Sequence, residues 1–526
     1  MDNVLETAGS GPEDAAARSQ IVRDGNVAVA CGPARYVASP PFSPDTAFPE
    51  YPFADTGGLA KQNPAYDTAR TALRLLGLDG ARFGSRDWNP LRRFIQPGNT
   101  VVIKPNFIRH FRDSCPDHGD CLITHGSVIR AVLDYVYIAL AGKGRAVIAD
   151  APQDDADFEA LREIAGLDAL RDFYRRHAGF DVEIYDLRQE RSHKVNGVIC
   201  GHIPLPGDPA GYATVNLGTD SAFAEINELC HLLYGAKFDM EELHRHHHDD
   251  VHEYPVSRTV LAADCVINLP KLKTHKKTGV TLSMKNLVGI NGNKNWLPHH
   301  REGTPGQGGD QFPDDRLKRR LERVCVRAFR KLFPLLGPLR SLLAGPIRGL
   351  GNRAFGDTNA GTVRSGNWFG NDTTWRMVVD LARIFIYADE TGRFHDRPVR
   401  RCLNLIDGIV AGEGNGPLDP TAKPCGVILA GTSPVAVDLA AARLMGFDPH
   451  KIPLLRHAME VHRFPLGLVS YDQVRCLSND PRYACMLSAL EGAALDFQPH
   501  FGWRGHVEID SAEEGRAPVT WRNMSV

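Results

Sequence analysis

Short apolar runs of strand length alternate with longer segments of helical periodicity through much of this chain. The runs TVVIKP (100–105), RAVIAD (145–150) and DVEIYD (181–186) are separated by helical patterns from about Ser127 to Leu140 and from Asp155 to His177. Strand, helix and strand at these lengths predict parallel βαβ units. The runs ADCVINL (263–269), RCLNLID (401–407) and GVILAG (426–431) continue the pattern. The sequence therefore predicts an α/β fold with a mostly parallel sheet in two linked halves.

The segments outside this pattern suggest the domain boundaries. Residues 1–95 are rich in Pro, Gly and Ala, with one helical pattern near Tyr66 to Leu76, and predict an irregular lead-in. Residues 96–315 are expected to form the first α/β half and residues 366–480 the second. A basic amphipathic insertion, 316–365, separates them, and residues 481–526 form a C-terminal tail.

The insertion carries most of the uneven charge of the chain. The 526 residues hold 61 Lys+Arg and 63 Asp+Glu, a net charge of −2, which gives no reason to expect nucleic acid. Residues 316–353, however, contain eleven Lys or Arg against Glu322 alone, and this leaves the rest of the chain at −12. The residues at helical spacing are Leu317, Leu321, Val324, Ala328 and Leu332, and Pro334, Pro338 and Pro346 are expected to break the remainder of the segment into short pieces. Two interpretations stay open: a helical cover with a solvated basic face, and an element lying on a membrane surface.

Cysteine usage and the first residues bear on location. The eleven cysteines include no pair at C-x-x-C spacing, so neither a disulfide framework nor an iron–sulfur cluster is expected. The sequence begins with acidic residues rather than an apolar run, and no stretch of 18 uncharged apolar residues occurs later. We expect a cytoplasmic protein, with the inner membrane surface as a second location if the insertion binds lipid.

Polar side chains follow several predicted strands directly. Lys104 and Asn106 end the strand 100–105, Asp150 ends the next, and Asp407 ends the strand 401–407. Ligands of open α/β sheets bind outside the carboxyl ends of the strands, so these side chains point to one crevice. Each of them alone would be an ordinary turn residue or loop cap.

The segment INLPKLKTHKKTGVTLSMKNLVGING (267–292) concentrates cationic side chains. Lysines among hydroxyls and amides form a site for phosphate or carboxylate, whereas the alternative is a solvated basic loop. His275, between lysines, is expected to stay neutral and to act as general acid or base, with Lys273 and Lys104 as further catalytic residues. The residues predicted to bind substrate are Asn106, Lys271, Thr281, Lys285 and Asn286, with Gly412, Glu413 and Gly414 of the loop AGEGNGP (411–417), whose backbone could form an anion nest.

Histidine is abundant, with 21 copies, and it clusters in HRHHHDDVHEY (244–254) and NWLPHH (295–300). Imidazole and carboxylate together suit a divalent transition metal. The predicted ligands are Asp150, Asp407, His246, His247, His252, His299 and His300. The spacing does not match H-E-x-x-H, so no particular metalloenzyme class follows, and a loop that binds metal adventitiously is the alternative.

Several of these motifs together resemble one family. The segments VVIKPN, INLPKLKTHKKTGVTLSMKNLVGING, WLPHH, GNDTTWRMVVDLAR, IDGIVAGEGNGP and SPVAVDLAAARLMGFDP are similar to the bacterial family catalogued as domain of unknown function 362, over residues 98–465. The family has no general assigned activity. Some members carry ferredoxin-type cysteine clusters that are absent here, so no iron–sulfur role is implied. The long form of the family implies a link to exopolysaccharide or glycan assembly.

The residues and the resemblance together predict a metal-dependent enzyme. Its substrate would be anionic, a carboxylate, a phosphate or a glycan carrier, and proton transfer, elimination or hydrolysis would suit its side chains. The alternative is a non-catalytic protein that docks on a membrane through residues 316–353 and presents glycan intermediates to other enzymes.

Overall fold

The structure, a computed structural model, describes residues 12–56, 59–114, 119–196, 198–235, 240–337, 339–357, 361–490 and 495–509. The first eleven residues, which belong to the acidic start used above to expect a cytoplasmic location, lie outside these ranges, as do the last seventeen.

The strands, numbered along the chain, are short apart from one long hairpin near the C-terminal end. They are β1 (Asn26–Cys31), β2 (Thr100–Pro105), β3 (Arg145–Asp150), β4 (Val182–Asp186), β5 (Glu190–Val195), β6 (Val198–Pro204), β7 (Tyr212–Asn216), β8 (Leu233–Gly235), β9 (His247–His248), β10 (Val251–Ser257), β11 (Cys265–Leu269), β12 (Lys271–His275), β13 (Gly279–Thr281), β14 (Pro298–Arg301), β15 (Arg401–Asn415), β16 (Asp419–Gly431) and β17 (Arg475–Ser478).

The α-helices connect and cover these strands. They are α1 (Pro12–Arg23), α2 (Pro64–Leu75), α3 (Gly126–Leu140), α4 (Phe158–Ile164), α5 (Leu167–Ala178), α6 (Met240–His246), α7 (Arg258–Leu261), α8 (Ser283–Asn286), α9 (Leu317–Leu332), α10 (Leu339–Phe355), α11 (Thr374–Tyr387), α12 (Pro434–Leu444) and α13 (Pro453–Ala458). None of the helices that the structure describes has the length and the apolar character needed to cross a bilayer.

One large sheet organises the molecule. Its strand order is β17-β1-β16-β15-β11-β2-β3-β4, and β15, β11, β2, β3 and β4 run parallel to one another. On one side, β16 pairs antiparallel with both β15 and β1, and β17 forms the edge beside β1. β12 extends the sheet beside β15, with β13 on its far edge. The predicted α/β class with a mostly parallel sheet is confirmed.

Two cores form on the two faces of this sheet, as the alternation of strand side chains requires. On β2, Val101 and Ile103 face a core built with α2, α3, α4 and α5, whereas Val102 faces the core that contains α11 and α12. Strands such as β11 are buried on both faces, which is why they read as continuous apolar runs.

The two expected halves form one sheet. β11 from the first half pairs in parallel with β15 from the second, so the halves share a continuous ladder. The lead-in is more regular than expected, because β1 lies between β16 and β17 within the main sheet. The long helix expected over 155–177 is two helices, α4 and α5, separated at Gly166, whose φ of +62° ends the first.

The insertion forms two helices, α9 and α10, as a pair held to the hairpin of β5 and β6. A small third core of Val198, Phe333 and Ala344, with Phe329 and Ile347 packed against it, fixes the pair there. Pro346 lies inside α10, so the expectation that it breaks the segment is wrong, and Pro338 lies outside the described ranges. The predicted stripe of Leu317, Leu321, Val324, Ala328 and Leu332 is exposed rather than turned toward the body.

Candidate active site

A cavity of about 990 Å³ opens beyond the carboxyl ends of β2, β3 and β11. This is where a parallel sheet places its ligand-binding crevice. The wall nearest the sheet, which we call the floor, is polar and mostly basic. Its residues are Asn106, Asp150, Lys273, His275, Lys276, Lys277, Thr281, Lys285, Asn286, Lys294, His299 and His300.

Asp150 is held in place by a buried lysine. The Nζ of Lys104 donates to Oδ1 of Asp150 at 2.7 Å, and the backbone N–H of Phe107 donates to Oδ2 at 2.9 Å. Lys104 is fully buried and does not line the cavity. The structure therefore places this predicted catalytic residue behind Asp150, as a positioning residue, rather than in contact with a substrate.

A chain of amides fixes the next part of the floor. Asn106 donates to Asn286 at 3.0 Å, Asn286 to Asn268 at 2.8 Å, and Asn268 to Asn404 at 2.9 Å. These links join β2, α8, β11 and β15 across the strand ends. Two predicted residues, Asn106 and Asn286, thus meet in the cavity. Sequence reasoning missed Asn268 and Asn404, because a buried asparagine within an apolar run shows no spacing signal.

The lysines of the floor lack carboxylate partners within the described chain. The Nζ of Lys273 donates to the carbonyl of Leu122 at 2.6 Å, and that of Lys294 to two backbone carbonyls at 3.2 Å. No hydrogen bond or ion pair of the Lys285 ammonium occurs among those residues. Burial lowers the pKa of Lys273 and of Lys294 to about 7, and that of Lys285 to about 8. Each ammonium would gain from a bound anion.

Two more lysines, Lys276 and Lys277, border the same space. Burial lowers the pKa of both, in Lys277 to about 7, and the charge of Lys276 depresses the pKa of Lys277 further. The Nζ of Lys277 lies 3.2 Å from the carbonyl of His299 and 3.3 Å from Nδ1 of His300. The sequence marked these lysines as part of a basic segment but did not single them out. Lys294, outside that segment, gave no signal.

His275 is neutral, as expected, but its proton has a definite place. Its Nδ1 accepts the backbone N–H groups of Lys277 at 3.1 Å and Thr278 at 3.2 Å. The neutral ring therefore carries its proton on Nε2. Burial, and then the charge of Lys285, hold the pKa of His275 well below its usual value. The ring is set to donate a hydrogen bond rather than to take a proton, which corrects the general-base part of the predicted role.

His299 and His300, both predicted metal ligands, line the cavity. The ring of His300 stacks on Tyr234 at 4.6 Å, and His299 places Nδ1 2.7 Å from the carbonyl of Leu297. Burial lowers the pKa of both rings, in His299 to about 3, and the charge of Lys277 adds to this. Both are neutral at physiological pH.

Three buried polar atoms on the floor have no hydrogen-bond partner in the described part of the chain. They are Oδ1 of Asn106, Oγ1 of Thr281 and Nε2 of His300. Buried polar atoms are rarely left in this state, and a ligand or water normally satisfies them. Their common position in the cavity makes them candidates to contact a substrate.

Lys271 and Asp407 pair with each other outside the cavity. The Nζ of Lys271 donates to Asp407 at 3.0 Å and lies 2.8 Å from the hydroxyl of Tyr36, which itself donates to Asp407 at 2.6 Å. The pairing register of β12 with β15 shifts between the two lysines of β12, so that Lys271 lies opposite Asp407 and Lys273 lies opposite Gly412. Neither Lys271 as a substrate ligand nor Asp407 as a metal ligand of this cavity is supported.

The histidines of 244–254 form a separate group that does not line the cavity. His246 stacks on Trp296 and contacts Glu253 at 2.8 Å, His247 donates to the carbonyl of Trp296, and His252 contacts Asn227. Within the described ranges, no three His, Cys, Asp or Glu side chains come close enough to share a metal ion. The metal therefore stays a prediction.

Gly412, Glu413 and Gly414 lie in β15 and not in an anion-binding loop. They pair with Ala422, Thr421 and Pro420 of β16. Glu413 forms an ion pair with Lys423 at 3.0 Å and accepts the backbone N–H of Gln498. A Cβ at Gly412 would lie 3.0 Å from the carbonyl of Cys121, so glycine is required there because the neighbouring backbone packs closely. The predicted nest is wrong, because a paired strand uses these backbone groups.

Part of the chain matches the model of a known protein family. Residues 215–443 match the family model Domain of unknown function (DUF362). The resemblance to this family is thus confirmed over these residues, which make up less than half of the chain. This region spans β12, β13 and α8 with their lysines, the two cavity histidines, and the insertion. Asn106 and Asp150 precede it, so the cavity combines the DUF362 region with the strands before it.

One curated protein and one solved structure also show similarity to this chain. The Thylakoid-associated protein sll1697 of Synechocystis sp. is 24% identical over 207 residues, which are 39% of this chain and 40% of that protein. The chain thus matches about two fifths of that relative's length. A crystal structure of a Thermotoga maritima protein covers 72% of this chain and 58% of its own, with 12% identity and a TM-score of 0.30.

Proposed function

We propose that this chain is an enzyme that binds an anionic substrate, a carboxylate or a phosphate, in the lysine-lined cavity. The observation that carries the proposal is the group of five floor lysines, Lys273, Lys276, Lys277, Lys285 and Lys294, with no carboxylate paired to any of them in the described chain. An anion with several oxygens would accept from these ammonium groups and from Nε2 of His275.

Proton transfer is the chemistry that these groups support best. Lys273, with a pKa of about 7, is part neutral near physiological pH and can take a proton from a bound substrate. The remaining ammonium groups stabilise the negative charge that such a step creates. His275 donates through Nε2, and Asp150, fixed by Lys104, borders the same space. We assign Lys273 as the base and His275 as the donor to the substrate.

A divalent metal is not needed for this proposal. Asp150, His299 and His300 are the predicted ligands that line the cavity. The metal stays a prediction, and no step above uses one. The place of the substrate in glycan metabolism stays a prediction.

The first test measures binding of inorganic phosphate by calorimetry. Lys285→Ala should weaken binding roughly tenfold or more, because a charge-assisted hydrogen bond contributes about 1.5–3 kcal/mol. Lys318→Ala removes an exposed lysine of α9 that does not line the cavity, and it should bind like the wild type. Equal affinities in both variants, or no binding by the wild type, would refute the proposed site.

The second candidate function is a membrane-associated binding protein. It is favoured by the exposed leucines of α9 and α10, which lie among basic residues, and by the name of the thylakoid-associated relative. Several arginines of α9 are paired, however. Arg320 contacts Asp315 at 2.6 Å and Arg327 contacts Glu302 at 2.9 Å. Much of the local positive charge is thus already neutralised.

A further inference from the structure

A second wall of the cavity is mostly apolar. The insertion supplies this wall, which we call the roof, through Cys325, Val326 and Phe329 of α9 and Ile347, Leu350, Ala354 and Phe355 of α10, and Val198 of β6 adjoins it. The cavity therefore has two unlike sides, one of ammonium groups and amides and the other of aliphatic and aromatic carbon.

The polar side chains of the roof have partners of their own. Glu322 is buried and pairs with Arg364 at 2.8 Å. Arg348 donates to the carbonyl of Asn196 at 2.8 Å, and Asn352 donates to Asp357 at 3.2 Å. The surface that remains for a ligand on this side is thus mainly hydrocarbon.

The roof also continues to the outside. Leu350 lines the cavity and is 71% exposed, so it stands at the mouth. Leu339 and Leu342 of the same helix are exposed as well. At about 990 Å³ the cavity lies at the upper end of the roughly 300–1,000 Å³ typical of ligand sites, much more than a bare phosphate or carboxylate group fills.

We infer that the substrate is an amphiphile, with an anionic group that binds the floor lysines and a hydrocarbon chain that lies under the roof. This rests on the proposed function, because it takes the floor to be the anion site. A lipid phosphate in a membrane and a free alkyl phosphate share this chemistry. In both ligands, the hydrocarbon chain would move from water onto the apolar surface of the roof. Each methylene group buried there would tighten binding about fourfold.

The test compares inorganic phosphate with butyl, hexyl and octyl phosphate by calorimetry on the full chain. Affinity should rise steeply with chain length in the wild type. In Val326→Asp, which places a carboxylate in the roof, this dependence should be lost while inorganic phosphate still binds, a result that also shows the floor intact. Val324→Asp is the matched control, because Val324 lies on the same helix, is 64% exposed and does not line the cavity.

The outcomes separate the two claims. Phosphate binding without any dependence on chain length would overturn the amphiphile and leave the proposed function standing. If affinity depended equally on alkyl chain length in Val326→Asp and Val324→Asp, the inference would also be overturned, because the hydrocarbon chain would then lie away from the roof. Failure of every phosphate to bind would refute the proposed function itself. Where chain length matters, adding vesicles that contain phosphatidic acid distinguishes the sources: competition with octyl phosphate indicates a membrane lipid, and its absence a free amphiphile.

Discussion

The pair of Lys104 and Asp150 shows what can be predicted at the scale of single residues. Parallel strands end at a common edge of the sheet, and this rule alone predicted from the sequence that Asn106 and Asp150 would lie at one crevice. The pairing itself depends on the register of β2 with β3, where Ile103 lies opposite Ile148. Register follows from packing along the whole strands, so the sequence could not tell that Lys104 lies behind Asp150 rather than beside it.

Gly289 gives this pair its room. A Cβ there would lie 2.0 Å from Oδ1 of Asp150 and 2.6 Å from Nζ of Lys104. Gly289→Ala should therefore separate the buried pair and lower the free energy of unfolding by about 3 kcal/mol, a cost typical of breaking such a pair. Urea denaturation measures it. Gly306→Ala, where a Cβ would meet nothing within 4 Å, is the control, and equal stability of the two variants would contradict this role.

The insertion shows the limits of prediction at the scale of elements. Its helical periodicity identified α9, because spacing alone reveals a helix. The face that it turns to the body was missed. Leu317, Leu321 and Val324 point outward, whereas Val326 and Phe329 line the cavity. The face that α9 turns toward the rest of the protein depends on the third core beside β5 and β6. Those strands are distant in the sequence, so the local pattern of α9 does not encode their contacts.

The exposed leucines lead to an expectation for membrane binding. If α9 and α10 dock on lipid, replacing Leu339 and Leu342 by Asp should abolish flotation with vesicles of phosphatidylglycerol, because burial of each leucine contributes about 1.5–3 kcal/mol. Lys273→Ala, a change inside the cavity, should float like the wild type. Flotation of the double variant at the wild-type level would argue against docking through these helices.

At the scale of the whole molecule, segments far apart in the chain complete one sheet and one site. The strand β1 from the lead-in lies between β16 and β17, and near the other end the indole of Trp503 donates to the carbonyl of Lys276 at 3.0 Å. The α/β class followed from the alternation of runs. These long-range contacts could not be predicted, because the sequence contains no signal for the place in a sheet that a distant strand will join.

The cavity as a whole should respond to pH through its lysines. A lysine is charged below its pKa, and the pKa values of Lys273, Lys277 and Lys294 are lowered to about 7 and that of Lys285 to about 8. The floor therefore loses positive charge as the pH rises from about 6.5 to 9. An anion of constant charge should bind most tightly at the lower end of this range and should take up protons when it binds.

Sulfate keeps its charge over this range, so its affinity, measured by calorimetry at pH 6.5 and at pH 9, tests the central claim most directly. We expect binding at least about tenfold weaker at pH 9, the loss that one charge-assisted hydrogen bond would cause. Lys285→Ala should bind weakly at pH 6.5 as well. Absence of binding at pH 6.5, or an affinity that does not change with pH, would contradict an anion site built from the floor lysines.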